Sequence, residues 1–177
     1  FSNEEIKQIY NEIKDNFFNL LIHKYANYFC QLLFKSLPQT VKYQVLDYVI
    51  KEILLFKLGN PKSICSIVVM FEKHLTITDQ EYIIKKIKPF LVDLTYNLKT
   101  LRLIEAIIWK FEQSVNFPVR KFVLDNIYHI NKSKEGFFLL KKFVKFSLVN
   151  PFDKEDFADK VSQIGFFEFT YSKNGCY

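Results

Sequence analysis

Apolar positions recur along this chain at a nearly constant interval. Anchored on Asn27, Ile64, Leu101 and Phe137, the steps are 37, 37 and 36 residues. Three, six and seven places beyond each anchor every residue is apolar: Cys30, Leu33 and Phe34; Ile67, Met70 and Phe71; Ile104, Ile107 and Ile108; Leu140, Phe143 and Val144. Spacing of i, i+3, i+4 is one face of an α-helix, so the pattern predicts four amphipathic motif helices near 26–35, 63–72, 100–109 and 136–145. A fixed period in the range of about 20–50 residues marks a repeat array in which each unit buries its apolar face against its neighbours.

The register extends upstream. Leu20, Leu94 and Ile130 precede their anchors by seven residues, and Phe17, Leu91 and Ile127 by ten. That i, i+3 pair predicts a short helix ahead of each motif helix. The second unit keeps it, as Phe56 and Ile53, only if one residue is inserted near Gly59-Asn60-Pro61, which predicts an enlarged turn there. Phe166 and Phe169 restart the pattern ahead of Cys176, so a fifth motif helix opens at 175–177. The chain starts at Phe1 and stops inside this motif, and is read as an internal stretch of a longer array, with 1–177 forming part of one repeat domain.

A third helix per unit is signalled by its starts. Ser2-Asn3-Glu4-Glu5 reads as a capping box before Ile6, Ile9, Tyr10 and Ile13. Thr78-Asp79-Gln80-Glu81 reads the same way before Ile83, Ile84 and Ile87, with Pro89 closing that helix. Pro118 suits the first turn of a helix through Phe122 and Val123, and Asp153 a cap for one through Phe157 and Val161. No sustained period-two alternation predicts strands. The expected fold is all-α: a right-handed α-solenoid of three-helix repeats of about 36 residues, close to armadillo and HEAT units of about 40–47 and TPR units of about 34.

Composition narrows the function. Four Gly and five Pro leave little room for long loops or a nucleotide-cradling loop. Aromatics are 18%, mostly Phe, and fill the spaces between helices. No run approaches the ~20 apolar residues of a membrane span, so no membrane partner is expected. The formal charge of +6 and pI near 9.1 favour an anionic partner. Cys30, Cys65 and Cys176 are far apart, His23, His74 and His129 have no ligand spacing, and neither metal, cofactor nor disulfide framework is suggested. GxSxG, HExxH and phosphate-loop signatures are lacking, so the chain is not read as an enzyme.

Lys24-Tyr25-Ala26-Asn27-Tyr28-Phe29-Cys30-Gln31-Leu32-Leu33 resembles the recognition helix of a PUF (Pumilio-homology) repeat, consensus approximately K-Y-G-N-Y-V-V-Q-K-L, with Ala26 in place of Gly. Gly136-Phe137-Phe138-Leu139-Leu140-Lys141 and Asn174-Gly175-Cys176-Tyr177 add to it. The resemblance implies that motif helices line the concave face of an arc. It implies that residues one and five of each motif meet a base edge of single-stranded RNA and that residue two stacks between bases. Positions i and i+4 do project together from a helix, and a flat neighbour offers a stacking surface.

Carried over, this makes Asn27 and Gln31 edge readers and Tyr28 a stacker, a combination that in the family reads uracil. The second unit offers Ile64, Cys65 and Val68, with no base-specific donor or acceptor at the edge positions. The third offers Leu101, with Arg102 as a stacking guanidinium and Glu105 as an acidic reader, and the fourth Phe137, with Phe138 as stacker and Lys141, beside Lys142, facing phosphate or base. Cys176 and Tyr177 open the fifth. The implied function is single-stranded RNA binding in post-transcriptional control, on messenger RNA 3′ untranslated regions, with a protein partner on the convex face and a cytoplasmic location. Two alternatives stay open: a nucleolar ribosome-biogenesis factor on pre-ribosomal RNA with relaxed specificity, and a protein-interaction solenoid that has lost base readout.

Overall fold

The computed structural model describes residues 2–55, 61–147 and 151–164, and every element among them is helical. The anchor Ile64 lies in a helix, but its side chain is outside the described residues, as are Gly59, Asn60, Cys176 and Tyr177 altogether. The chain divides into two compact units, Phe1–Ile87 and Lys88–Tyr177.

In the first unit the elements are α1 (Asn3–Ile13), a 3₁₀ turn at Lys14–Asn16, α2 (Phe17–Leu21), α3 (Ala26–Ser36), α4 (Gln39–Leu54), α5 (Pro61–His74) and α6 (Ile77–Ile87). The Ser2–Glu5 capping box forms: Glu5 N–H donates to Ser2 Oγ at 3.3 Å and Ser2 N–H to Glu5 Oε2 at 2.7 Å. Hydrogen bonds from the Ser2 N–H, and from its Oγ–H at 3.0 Å, hold the Glu5 carboxyl below its ordinary value. α3 packs against α1, α2 and α5, and α4 against α2 and α6. The core contains Phe17, Leu21, Cys30, Phe34, Leu46, Ile53, Ile67, Met70 and Ile83, all fully buried. Burial of each large apolar side chain contributes about 1.5–3 kcal/mol. Pro61 is the first residue of α5, where its missing N–H breaks no helical hydrogen bond.

One start in this unit differs from the sequence expectation. The box lies two residues earlier than Thr78, on Thr76 and Asp79. Thr76 N–H and Oγ–H donate to Asp79 Oδ2 at 2.9 and 2.8 Å, and Asp79 N–H donates to Thr76 Oγ1 at 3.2 Å. Asp79 is fully buried and also accepts from Gln39 Nε2, which ties the starts of α4 and α6 together. A buried carboxylate with three donors is satisfied, and that selects this start over the exposed Thr78.

The second unit contains a 3₁₀ turn at Lys88–Phe90, α7 (Leu91–Tyr96), α8 (Leu98–Lys110), α9 (Gln113–Asp125), α10 (Ile127–Asn131), α11 (Lys134–Ser147) and α12 (Pro151–Ile164). α8 packs on α7, α9 and α11, and α11 on α10 and α12. Two expected starts move. α9 begins at Gln113, so Pro118 lies inside it. The missing N–H leaves the Ser114 carbonyl without its helical donor, yet Val115, Val119 and Val123 at i, i+4, i+8 are buried and hold the helix through the proline. α12 begins at Pro151, so Asp153 is within its first turn and not its cap. Asn116, wholly buried on α9, donates through Nδ2 to Ile108 O at 2.9 Å and Phe111 O at 3.1 Å, closing the end of α8.

Helices therefore cover all four predicted motif segments as α3, α5, α8 and α11. Of the twelve residues three, six and seven beyond the anchors, only Val144 is not buried.

Candidate nucleic-acid interface

α3 starts without a Ser, Thr, Asp or Asn cap. His23 replaces one: its Nδ1 accepts from Tyr25 N–H and Ala26 N–H, each at 3.3 Å. Asn27 Nδ2 donates to His23 O at 2.8 Å and Lys24 O at 2.9 Å, and Gln31 Nε2 donates to Asn27 Oδ1 at 3.3 Å. The two candidate edge readers are thus joined at i, i+4, and only 8% and 6% exposed. At 3.3 Å their mutual bond is beyond the usual 2.7–3.2 Å range for N–H···O, so it is the weak link in the set. Tyr28 is open at 67% exposure. α3 brings all three residues onto one stretch of helix, the stacker outward and the amides folded against the helix start.

On α5, Cys65 is exposed and Val68 half-buried. On α8, Leu101 is buried, Arg102 is exposed, and Glu105 is ion-paired to Lys142 of α11. Lys142 is therefore committed to a carboxylate and not held out beside Lys141 for a phosphate. On α11, Phe138 and Lys141 are exposed and Phe137 is half-buried, the two Phe rings lying 6.1 Å apart at 60°. The structure brings Glu105, Lys142 and the α8–α11 pairing together.

Sequence reasoning missed two features here. His23 is a helix cap, legible only from its ring position. The second is an exposed apolar stripe on α3: Tyr25, Tyr28, Phe29 and Leu32 at i, i+3, i+4, i+7, with exposures of 71, 67, 48 and 63%. The same spacing rule that found Cys30, Leu33 and Phe34 would have exposed it as a second apolar face. A basic group also gathers where α3 and α5 end. Burial, and then the ammonium groups of Lys35, Lys73 and Lys42, hold the His74 imidazole below its ordinary value. Burial pushes the Cys30 thiol up to about 11.

Among the described residues no group of three or more His, Cys, Asp or Glu is placed to hold a metal ion. No described helix is long and apolar enough to cross a membrane. No protein-family model matches the chain, and no curated protein or solved structure matches it either.

Proposed function

We propose that the chain is a PUF-like solenoid of three-helix repeats that binds single-stranded RNA through its motif helices, in post-transcriptional control of messenger RNA. One observation carries the reading. The residue after each anchor, the stacking position, is exposed on all four motif helices as Tyr28, Cys65, Arg102 and Phe138. Each helix that buries its core stripe and opens this position offers a stacking surface to a strand. Tyr28 and Phe138 supply π-faces and Arg102 a guanidinium plane, each able to stack on any base. Lys24, Lys35 and Lys141, all exposed, supply sequence-blind attraction to phosphate.

Base choice is concentrated on α3. A uracil edge competes with the long Gln31–Asn27 bond, which releases the Gln31 amide and Asn27 Oδ1 to meet it while Asn27 Nδ2 keeps His23 O and Lys24 O. Leu101 is buried and Glu105 engaged by Lys142, which favours relaxed specificity on α8 and leaves pre-ribosomal RNA as a second target class. The test is a binding titration at fixed salt over RNAs varied at one nucleotide. Asn27→Ala with Gln31→Ala is expected to flatten a uracil preference at one position, and Tyr28→Ala to weaken all sequences alike by about 1–3 kcal/mol. A parent chain with no affinity for any RNA would end this reading.

A further inference from the structure

The exposed ring of Tyr25 has no role in the one-base scheme above. It stands three residues before Tyr28, and residues spaced i, i+3 lie on one helix face with Cβ atoms about 5–6 Å apart. Its backbone is fixed by the His23 imidazole, which accepts its N–H at 3.3 Å. The Lys24 ammonium lies 5.0 Å from its ring centroid. Lys24 lies in the turn just before α3 and Lys35 in its last turn, so an exposed lysine stands at each end of the helix with the exposed Tyr28 between them. Nine steps of 1.5 Å from Ala26 to Lys35 put the two ends of the helix about 14 Å apart along its axis. α3 carries no acidic residue from Ala26 to Ser36.

We infer that α3 binds two adjacent nucleotides of a single RNA strand, Tyr28 stacking on the base read by Asn27 and Gln31, Tyr25 stacking on its neighbour, and Lys24 and Lys35 contacting the flanking phosphates. This rests on the RNA-binding reading above and deepens it. A Cβ separation of about 5–6 Å exceeds the 3.4 Å rise of a stacked strand, so the bases are splayed, each on its own ring. Stacking on Tyr25 is indifferent to base identity, since every base has a π-face. The charge pattern selects a polyanion over a second copy of this chain: an antiparallel α3–α3 contact would set Lys24 against Lys35.

The experiment uses the 177-residue chain and a fluorescent oligouridine of about ten nucleotides, within the site sizes of single-strand binders. Affinity is measured at several salt concentrations for the parent, Tyr25→Ala, Tyr25→Phe, Tyr28→Ala and Lys24→Gln with Lys35→Gln. Circular dichroism of each variant confirms unchanged helicity. Tyr25→Ala is expected to weaken binding roughly 5- to 150-fold, the range of one lost base–aromatic stack, with Tyr25→Phe near the parent. The double Lys variant is expected to lower the slope of log affinity against log salt by about 1.4, at ~0.7 per phosphate on a single strand. If Tyr28→Ala weakens binding and Tyr25→Ala does not, the two-nucleotide footprint is wrong while the RNA reading stands. If the parent binds no oligouridine or any other RNA, both fall. If Tyr25→Ala and Leu32→Asp leave RNA affinity intact but abolish self-association in sedimentation, the stripe is a protein face and the inference is overturned.

Discussion

α3 and α8 carry the same buried triplet and differ on almost every other face. Cys30, Leu33 and Phe34 on one, and Ile104, Ile107 and Ile108 on the other, all face their own cores. One position before each triplet, Phe29 is half open while Leu103 is wholly buried; two positions after the first triplet residue, Leu32 is exposed and Ala106 buried. α3 begins on a histidine cap. α8 begins where the Thr100 hydroxyl donates to Leu94 O at 2.7 Å. α3 holds an amide pair at positions one and five, whereas α8 has a buried leucine and a carboxylate tied to Lys142. One repeat pattern therefore fixes which stripe is core. What surrounds the helix decides whether its remaining faces are surface or core.

The sharpest way to break this comparison is to truncate one leucine on each helix, buried on α8 and exposed on α3. Leu103→Ala is expected to destabilise by about 2–5 kcal/mol, as a cavity in a packed core. Leu32→Ala, on the exposed stripe, is expected to change stability by under about 0.5 kcal/mol. Urea denaturation of both variants decides it. Equal losses would mean that the two helices do not differ in this way.

The residue before each anchor gives a smaller contrast. A Cβ on Gly136, in α11, would meet the Ile130 carbonyl oxygen at 1.9 Å, so the backbone itself would have to move. Gly136→Ala is expected to cost about 3 kcal/mol, at the upper end of ordinary overpacking. Ala26→Gly, at the same place on α3, is expected to cost only ~1 kcal/mol, through helix propensity. Thermal unfolding of the two variants measures the difference.

Acid gives a weaker effect, confined to the ends of α3 and α5. Because the folded His74 pKa lies below 6.5, its ordinary value, the unfolded chain binds the proton first. The His74 contribution leaves stability unchanged above pH 6.5 and lowers it as pH falls through and below that value. His74→Gln is expected to remove that part of the pH dependence between about pH 7 and 5 in urea midpoints. Carboxylates such as Glu5, whose folded pKa is depressed, lose their contribution only at lower pH, so the two windows separate.

The smallest effect involves no change in stability. Cys30, buried on α3 with its thiol pushed up to about 11, is expected to resist iodoacetamide at pH 8 in the native state, whereas the exposed Cys65 on α5 is alkylated. Peptide mass mapping reads both sites. Labelling of Cys30 as fast as Cys65 would mean that the α3 core opens readily.

By itself the sequence determined the helical class, the position of the four motif helices and the stripe each one buries. Those follow from periodicity, because a run with apolar residues at i, i+3 and i+4 can hide them only as a helix. It also identified the Ser2 cap, since capping is local chemistry, and Tyr28 as a flat residue beside Asn27 and Gln31. Tertiary structure decided what depends on neighbours distant in sequence. Asp79, buried among Gln39 and Thr76, moved the start of α6, and the buried valines of α9 carried that helix through Pro118. Lys142 reached across from α11 to occupy Glu105. The amides of Asn27 and Gln31 turned to the helix start and to each other, because nearly buried polar groups must find partners there. The openness of Phe29 and Leu32, against the closure of Leu103 and Ala106, depends on what packs over each helix, and no residue of the helix itself encodes that.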